Sequence, residues 1–336
     1  MKVSSKDILK LILSLGITGY ILYNSTKTTD WNQIWEALKS FKYEWIAVSV
    51  ILSLLSHGLR AYRWAMLLGT QGPRPSTWTA FLAVMACYLG NMAIPRLGEV
   101  ARCTIMKEEK DIPVTFSLGT VITDRLLDLF MLMLLAMFLL AMQFDLLKSY
   151  FSQFIDDKLP FLITIWPFLA LAGVLGLLTI LFFVRKSKEE RNPKSIYYKI
   201  NQKVQELVSG IKAIKKVENP LGFWVSTLGI WVLYFAMLYV ISFGYAPTAE
   251  LSLIAGVAVL VMGSLGMAAP VNNGIGAYQA LVASILVVYG ITYNDGYVFA
   301  VVSHGSQVVS VILFGFLSLL ILNFRKKKKR IDTNEK

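Results

Sequence analysis

Charge is what this 336-residue chain has least of: Asp, Glu, Lys and Arg make up 16% of it, against about 25% in an ordinary soluble domain. With 56% hydrophobic residues beside so little charge, neither a water-facing globular surface nor intrinsic disorder can be built. Cysteine is nearly missing. Cys87 and Cys103 alone exclude a disulfide framework and read as ordinary small residues. The two histidines, His57 and His304, stand isolated in apolar runs; each is expected to hydrogen-bond a neighbouring helix, with a proton relay as the alternative. No zinc motif, nucleophile elbow, P-loop lysine or G-x-G-x-x-G is present. No catalytic residue, resident metal or cofactor is therefore expected.

Long apolar runs, in contrast, are abundant. About 20 apolar residues cross a bilayer, and such runs lie near 8–23, 45–68, 77–94, 114–143, 159–184, 221–244, 251–269, 277–292 and 297–323. The fold class is an all-α polytopic membrane protein, a single integral membrane domain over 1–336 with about seven to nine membrane helices. The first run follows Lys2, Lys6 and Lys10 with no small-x-small cleavage site after it, so it reads as an uncleaved span.

Lys and Arg number 33 against 21 Asp and Glu. In a soluble chain that excess would suggest nucleic acid; here it records orientation, because basic residues collect on the cytoplasmic side. Arg60, Arg63 and Arg74, the basic amphipathic linker 185–219 and the basic tail 325–336 share that side if both termini are cytoplasmic. Nucleic acid is not an expected partner. Arg60 and Arg63, near the end of their span, are expected to snorkel to phosphates. The segments 31–43 and 196–217 have amphipathic helical spacing and are expected at the outer and inner interfaces.

One segment breaks the alternation. A full crossing at 77–94 would put Arg96, Arg102, Lys107 and Lys110 outside, so the chain is expected to dip in, break near Pro95 and Gly98, and return. The pair 251–269 and 277–292 has the same outline, broken at Pro270, Asn272, Asn273, Gly274 and Gly276; dipping and crossing both fit its charges. Aligning Pro95 with Pro270 superimposes Met92-Ala93-Ile94-Pro95 on Met267-Ala268-Ala269-Pro270. Two broken hairpins in the halves 1–155 (break at 91–102) and 156–324 (break at 270–276) make an inverted repeat, a plan in which the breaks mark the binding site.

Charges at membrane depth need a partner or a purpose, since each costs at least about 2.5–3.5 kcal/mol to insert. Two clusters qualify: Asn91, Arg96, Glu99 and Arg102 around the first break, and Asp124, Arg125 and Asp128 in the span after Pro113. Asp124 and Asp128 share a helical face with Arg125 at its edge. A structural network in which Arg96, Arg102 or Arg125 neutralises Glu99, Asp124 or Asp128 is one reading. The other is a substrate site for a dipolar head group: arginine forks take its phosphate, and the carboxylates take its cationic part or protons. Gly274 and Gly276 let the backbone turn, and their amides offer a place for an anion. Asp124 and Asp128 holding a divalent metal is the enzymatic alternative.

These residues are similar to a known family, the membrane region of lysylphosphatidylglycerol synthetases, also found as standalone flippase-like proteins. The likeness rests on Arg60-x-x-Arg63-Trp64, Leu89-Gly90-Asn91, Pro95-Arg96-Leu97-Gly98-Glu99-x-x-Arg102, Asp124-Arg125-x-x-Asp128 and Pro270 with Gly274-Ile275-Gly276, and covers about residues 6–322. It implies a bacterial cytoplasmic (inner) membrane location and translocation of a phospholipid or lipid-linked head group between leaflets. Arg96, Glu99, Arg102, Asp124, Arg125, Asp128, Asn91 and Arg63 are the substrate-binding candidates it supports. The chain stops at Lys336, so the likeness is to the translocating half without the transferase half, and a separate lipid-modifying enzyme is a candidate partner. Gln279 stands where the family typically has glutamate, and Asn272 and Asn273 replace its usual spacing. The competing classes are a membrane transferase acting on a lipid-linked substrate and a non-transporting accessory subunit.

Overall fold

The computed structural model describes residues 31–93, 97–146, 148, 196–269 and 271–334, and among them all regular structure is helical. In chain order the α-helices are α1 (Trp31–Ser40), α2 (Tyr43–Leu68), α3 (Thr77–Ala93), α4 (Leu97–Lys110), α5 (Val114–Met142), α6 (Ile196–Ile211), α7 (Pro220–Ser242), α8 (Leu253–Ala268), α9 (Ala277–Val288) and α10 (Tyr293–Asn334). Four described stretches are long and apolar enough to cross a membrane: Tyr43–Gln71, Val114–Met142, Pro220–Ser242 and Tyr293–Lys327. The protein is an all-α polytopic membrane protein. The expected spans at 8–23 and 159–184, and Pro95, Arg96 and Pro270, lie outside the described residues.

Local signals start several helices. Asn219 caps α7, its side chain accepting from the Gly222 N–H at 2.8 Å, with Pro220 in the first turn. Ser252 caps α8 by accepting from the Ala255 N–H at 3.2 Å. Along α5 the exposed residues Ile122, Leu126, Leu129, Phe130, Met133 and Met137 fall at helical spacing, an apolar stripe that suits lipid rather than water.

Hydrogen bonds fix which ends share a face. The Lys42 N–H donates to the Gly244 carbonyl at 2.9 Å, and the Tyr245 hydroxyl donates to Asp295 at 2.6 Å. The start of α2, the end of α7 and the start of α10 therefore lie together. At the other face, Gln71 donates to Ser209 at 2.8 Å, Arg325 to Thr79 at 3.3 Å and Lys326 pairs with Glu108 at 2.9 Å. Arg74, Lys107, Lys110, Lys212, Lys215 and Lys216 lie in the connections and helix ends of that same face.

Helices α3 and α4 form a hairpin opening to this basic face, and α8 and α9 one opening to the opposite face. Their 17, 14, 16 and 12 residues correspond to about 26, 21, 24 and 18 Å, each short of a crossing. The second pair, which the charge pattern left open, thus forms a hairpin of two helices each shorter than a crossing. Its turn, Asn272–Gly274, packs on α3 of the first hairpin.

Both interruptions are closed the same way. The Asn91 Oδ1 accepts from the Gly98 N–H at 2.8 Å, and the Gln279 Oε1 accepts from the Gly276 N–H at 2.8 Å. A carboxamide thus replaces the backbone partner lost where the helix breaks. At the second turn Asn273, Gly274 and Gly276 take φ of 51°, 70° and 85°, a region glycine enters freely and asparagine tolerates.

The basic segment beginning at Ile196 is held to a membrane span. Helix α6 crosses α5 where Gly119 and Gly210 bring the backbones together. Thr115 donates to Glu206, and Thr123 Oγ1 donates to the Ile211 carbonyl at 3.0 Å.

Candidate functional site

Helix α2 turns a polar face inward. Ser49, Ser53, Ser56, His57, Arg60 and Arg63 are all buried, and their spacing of three or four residues stacks them along one side over about 21 Å. Such a face has no place against lipid, so it must meet polar groups from other helices. Gln307 donates to Ser49 at 3.2 Å, Ser53 and His57 are 3.3 Å apart, and the His57 ring lies 4.8 Å from that of Tyr88.

At the basic end of this face Arg60 and Arg63 meet Asp124 and Asp128. Arg60 Nη1 donates to both carboxylates at 2.8 Å. Arg63 Nη2 donates to Asp124 at 2.5 Å and to Asp128 at 3.0 Å, and its Nε to Asp124 at 3.1 Å. The four-residue spacing of the aspartates and the three-residue spacing of the arginines make two matched faces. Tyr234 and Thr227 of α7 complete the arrangement: the Tyr234 hydroxyl accepts from Arg60 at 2.8 Å and Thr227 from Arg63 at 3.3 Å.

The snorkelling expected of Arg60 and Arg63 is not what happens. Arg63 is fully buried and Arg60 nearly so, because the two aspartates offer a closer anionic partner than any phosphate at the bilayer edge. These ion pairs also engage the carboxylate oxygens that the metal and cationic-head-group readings require.

Arg102 is the exception. Its guanidinium is buried, lies 4.7 Å from the Trp64 ring, and comes no closer than 3.9 Å to Asp124. Among the described residues its Nε and Nη2 have no hydrogen-bond partner. Trp64 is itself anchored, donating to Thr120 at 2.9 Å. Three guanidiniums against two carboxylates leave this cluster one positive charge in excess. A cation with two unbonded nitrogens, stacked on a fixed indole, is a ready receptor for an anion.

The model of the family described as Lysylphosphatidylglycerol synthase TM region matches residues 8–315. The chain belongs to this family. No curated protein and no solved structure matches it. The matched region contains every helix that supplies the cluster.

The expected site residues separate into three groups. Arg63, Arg102, Asp124 and Asp128 come together. Glu99 and Arg125 pair with each other at 2.9 Å, apart from the cluster's hydrogen bonds. Asn91 is committed to the first break through Gly98, which also packs so closely on the Cys87 carbonyl that a Cβ would collide. At the second break Gln279 also contacts His304, Nε2 to Nδ1 at 3.1 Å; Gly274 and Gly276 shape the turn. Arg60, Tyr234, Thr227 and Tyr88 were not among the expected site residues. Arg60 was legible, since Arg60 and Arg63 repeat the spacing of Asp124 and Asp128 with opposite charge; tyrosines and threonines in apolar spans carry no such signal.

Proposed function

We propose that this membrane protein moves a phosphate-bearing lipid head group between leaflets, with Arg102 as the phosphate receptor and the acyl chains remaining in the bilayer. The observation that carries the reading is the buried Arg102 guanidinium, whose Nε and Nη2 have no hydrogen-bond partner among the described residues, beside an ion-pair network that satisfies Arg60 and Arg63. The two Arg60/Arg63–Asp124/Asp128 pairs then act as a rigid wall, and the excess charge supplies the attraction. The inward polar face of α2 offers the head group a hydrated or hydrogen-bonding route toward the opposite face. Membership of a family named for a lysylphosphatidylglycerol synthase supports a lipid role, and hairpins entering from opposite faces suit alternating access. By the positive-inside tendency the basic face is cytoplasmic, in a bacterial inner membrane.

Purified protein in vesicles containing tail-labelled phosphatidylglycerol tests this. Quenching of the outer leaflet by dithionite should progress to the inner-leaflet label faster than in protein-free vesicles, without added divalent metal. A folded protein that leaves exchange at the protein-free rate overturns the reading.

A further inference from the structure

The ion pair between Glu99 and Arg125 stands where charge is least expected. Arg125 falls on the exposed stripe of α5, three residues after Ile122 and one turn before Leu129, and its side chain is 48% exposed while that of Glu99 is 20% exposed. On α4, Val100 beside Glu99 is exposed as well. The exposed apolar residues of α5 run from Ile122 to Met142, about 30 Å along the helix, which matches the hydrocarbon thickness. Arg125 lies about 5 Å inside the end of that band nearer the basic face, a depth within reach of lipid phosphates. Among the described residues one contact engages the guanidinium, Nη2 to Oε1 of Glu99 at 2.9 Å, which leaves donors for a further acceptor. Inward from it lie Asp124, the preceding residue on α5, and Arg102, three residues beyond Glu99 on α4.

We infer that the seam between α4 and α5 is a lateral entrance at which a phospholipid of the surrounding bilayer engages the protein, its phosphate replacing the Glu99 carboxylate on Arg125. Glu99 is then a competitor for the incoming phosphate, not its receptor. A phosphate diester offers the fork of Arg125 two acceptor oxygens where Glu99 now supplies one contact, and it comes from a lipid that already borders the exposed stripe. The next guanidinium inward is Arg102. The inference rests on the proposed translocation only for the steps after entry.

Binding of phosphatidylglycerol to the detergent-purified protein, read by native mass spectrometry, tests it. Glu99→Gln should raise retention of the lipid about 5-fold over wild type, and Arg125→Leu should lower it about 10-fold, with Arg125→Lys recovering part. Leucine suits a lipid-facing position, and the double variant Glu99→Gln/Arg125→Leu removes any stranded charge; it should bind as weakly as Arg125→Leu. Unchanged retention across these variants overturns the entrance. Displacement by inorganic phosphate as efficient as by glycerophosphoglycerol and by lipid would assign the site to free phosphate and overturn it too. Leaflet exchange measured in parallel separates the two ideas. The predicted binding changes without any exchange leave the entrance standing and remove translocation; normal exchange with unaltered binding in Arg125→Leu does the reverse.

Discussion

The two broken hairpins share a backbone solution and differ in chemistry. In each, a short helix enters from one face, stops, and restarts with a glycine N–H donated to a carboxamide at 2.8 Å, Asn91 in the first and Gln279 in the second. Beyond that the first hairpin carries Glu99 and Arg102 and lies against the Arg60, Arg63, Asp124 and Asp128 network. The second carries Tyr278 and Gln279, which contact Ser303 and His304 of α10, and no Asp, Glu, Lys or Arg stands in α8, its turn or α9 among the described residues. Irregular backbone in a membrane thus demands an amide acceptor at both sites, but charge at only one. The proposed function assigns the charge of the first hairpin to the site, while the amides close the backbone in both hairpins.

Removing charge from the network should have the largest effect on stability. Asp124→Ala strips a carboxylate that holds two buried arginines, and loss of one partner of a buried pair costs about 3–5 kcal/mol. Thermal unfolding in detergent should show a large fall for Asp124→Ala; a melting temperature unchanged from wild type would mean that the arginines find other partners. The amide bonds come next. Asn91→Ala and Gln279→Ala should each cost about 1–3 kcal/mol by leaving a glycine N–H unbonded, and nearly equally. A clear inequality would break the equivalence of the two interruptions.

The smallest effect concerns the connection outside the spans. Tyr245 is buried and donates to Asp295; burial, then the neighbouring carboxylate, hold its phenol above the ordinary value. The folded state therefore keeps this proton longer than the unfolded chain. The contribution is full below about pH 10 and fades as pH rises through the folded value. Tyr245→Phe should lose about 1 kcal/mol at neutral pH and should lack the wild type's extra alkaline loss. Parallel alkaline curves would contradict the assignment.

How legible was this in the sequence? The spans at 45–68, 77–94, 114–143 and 221–244 match α2, α3, α5 and α7 closely, because twenty-residue apolar runs leave helix as the only way to satisfy the backbone. The first re-entrant hairpin followed from Arg96, Arg102, Lys107 and Lys110 standing on the wrong side of a full crossing. Partner choice was harder. Opposite charges in a sequence do not say which pair will meet, so Arg60 and Arg63 were assigned to the bilayer edge although Asp124 and Asp128 hold them inside. Exposure was harder still: Asp124 and Arg125 are neighbours in sequence, yet one is fully buried and the other half-exposed, a difference set by helix rotation against α2 and α4.

The central claim is that Arg102, whose Nε and Nη2 lack hydrogen-bond partners among the described residues beside a satisfied network, is the phosphate receptor. Arg102→Gln removes its charge and breaks no hydrogen bond made by its Nε or Nη2. Leaflet exchange of tail-labelled phosphatidylglycerol, measured in vesicles on protein whose melting temperature stays near wild type, should fall to the protein-free rate. Exchange at the wild-type rate in folded Arg102→Gln would contradict the account.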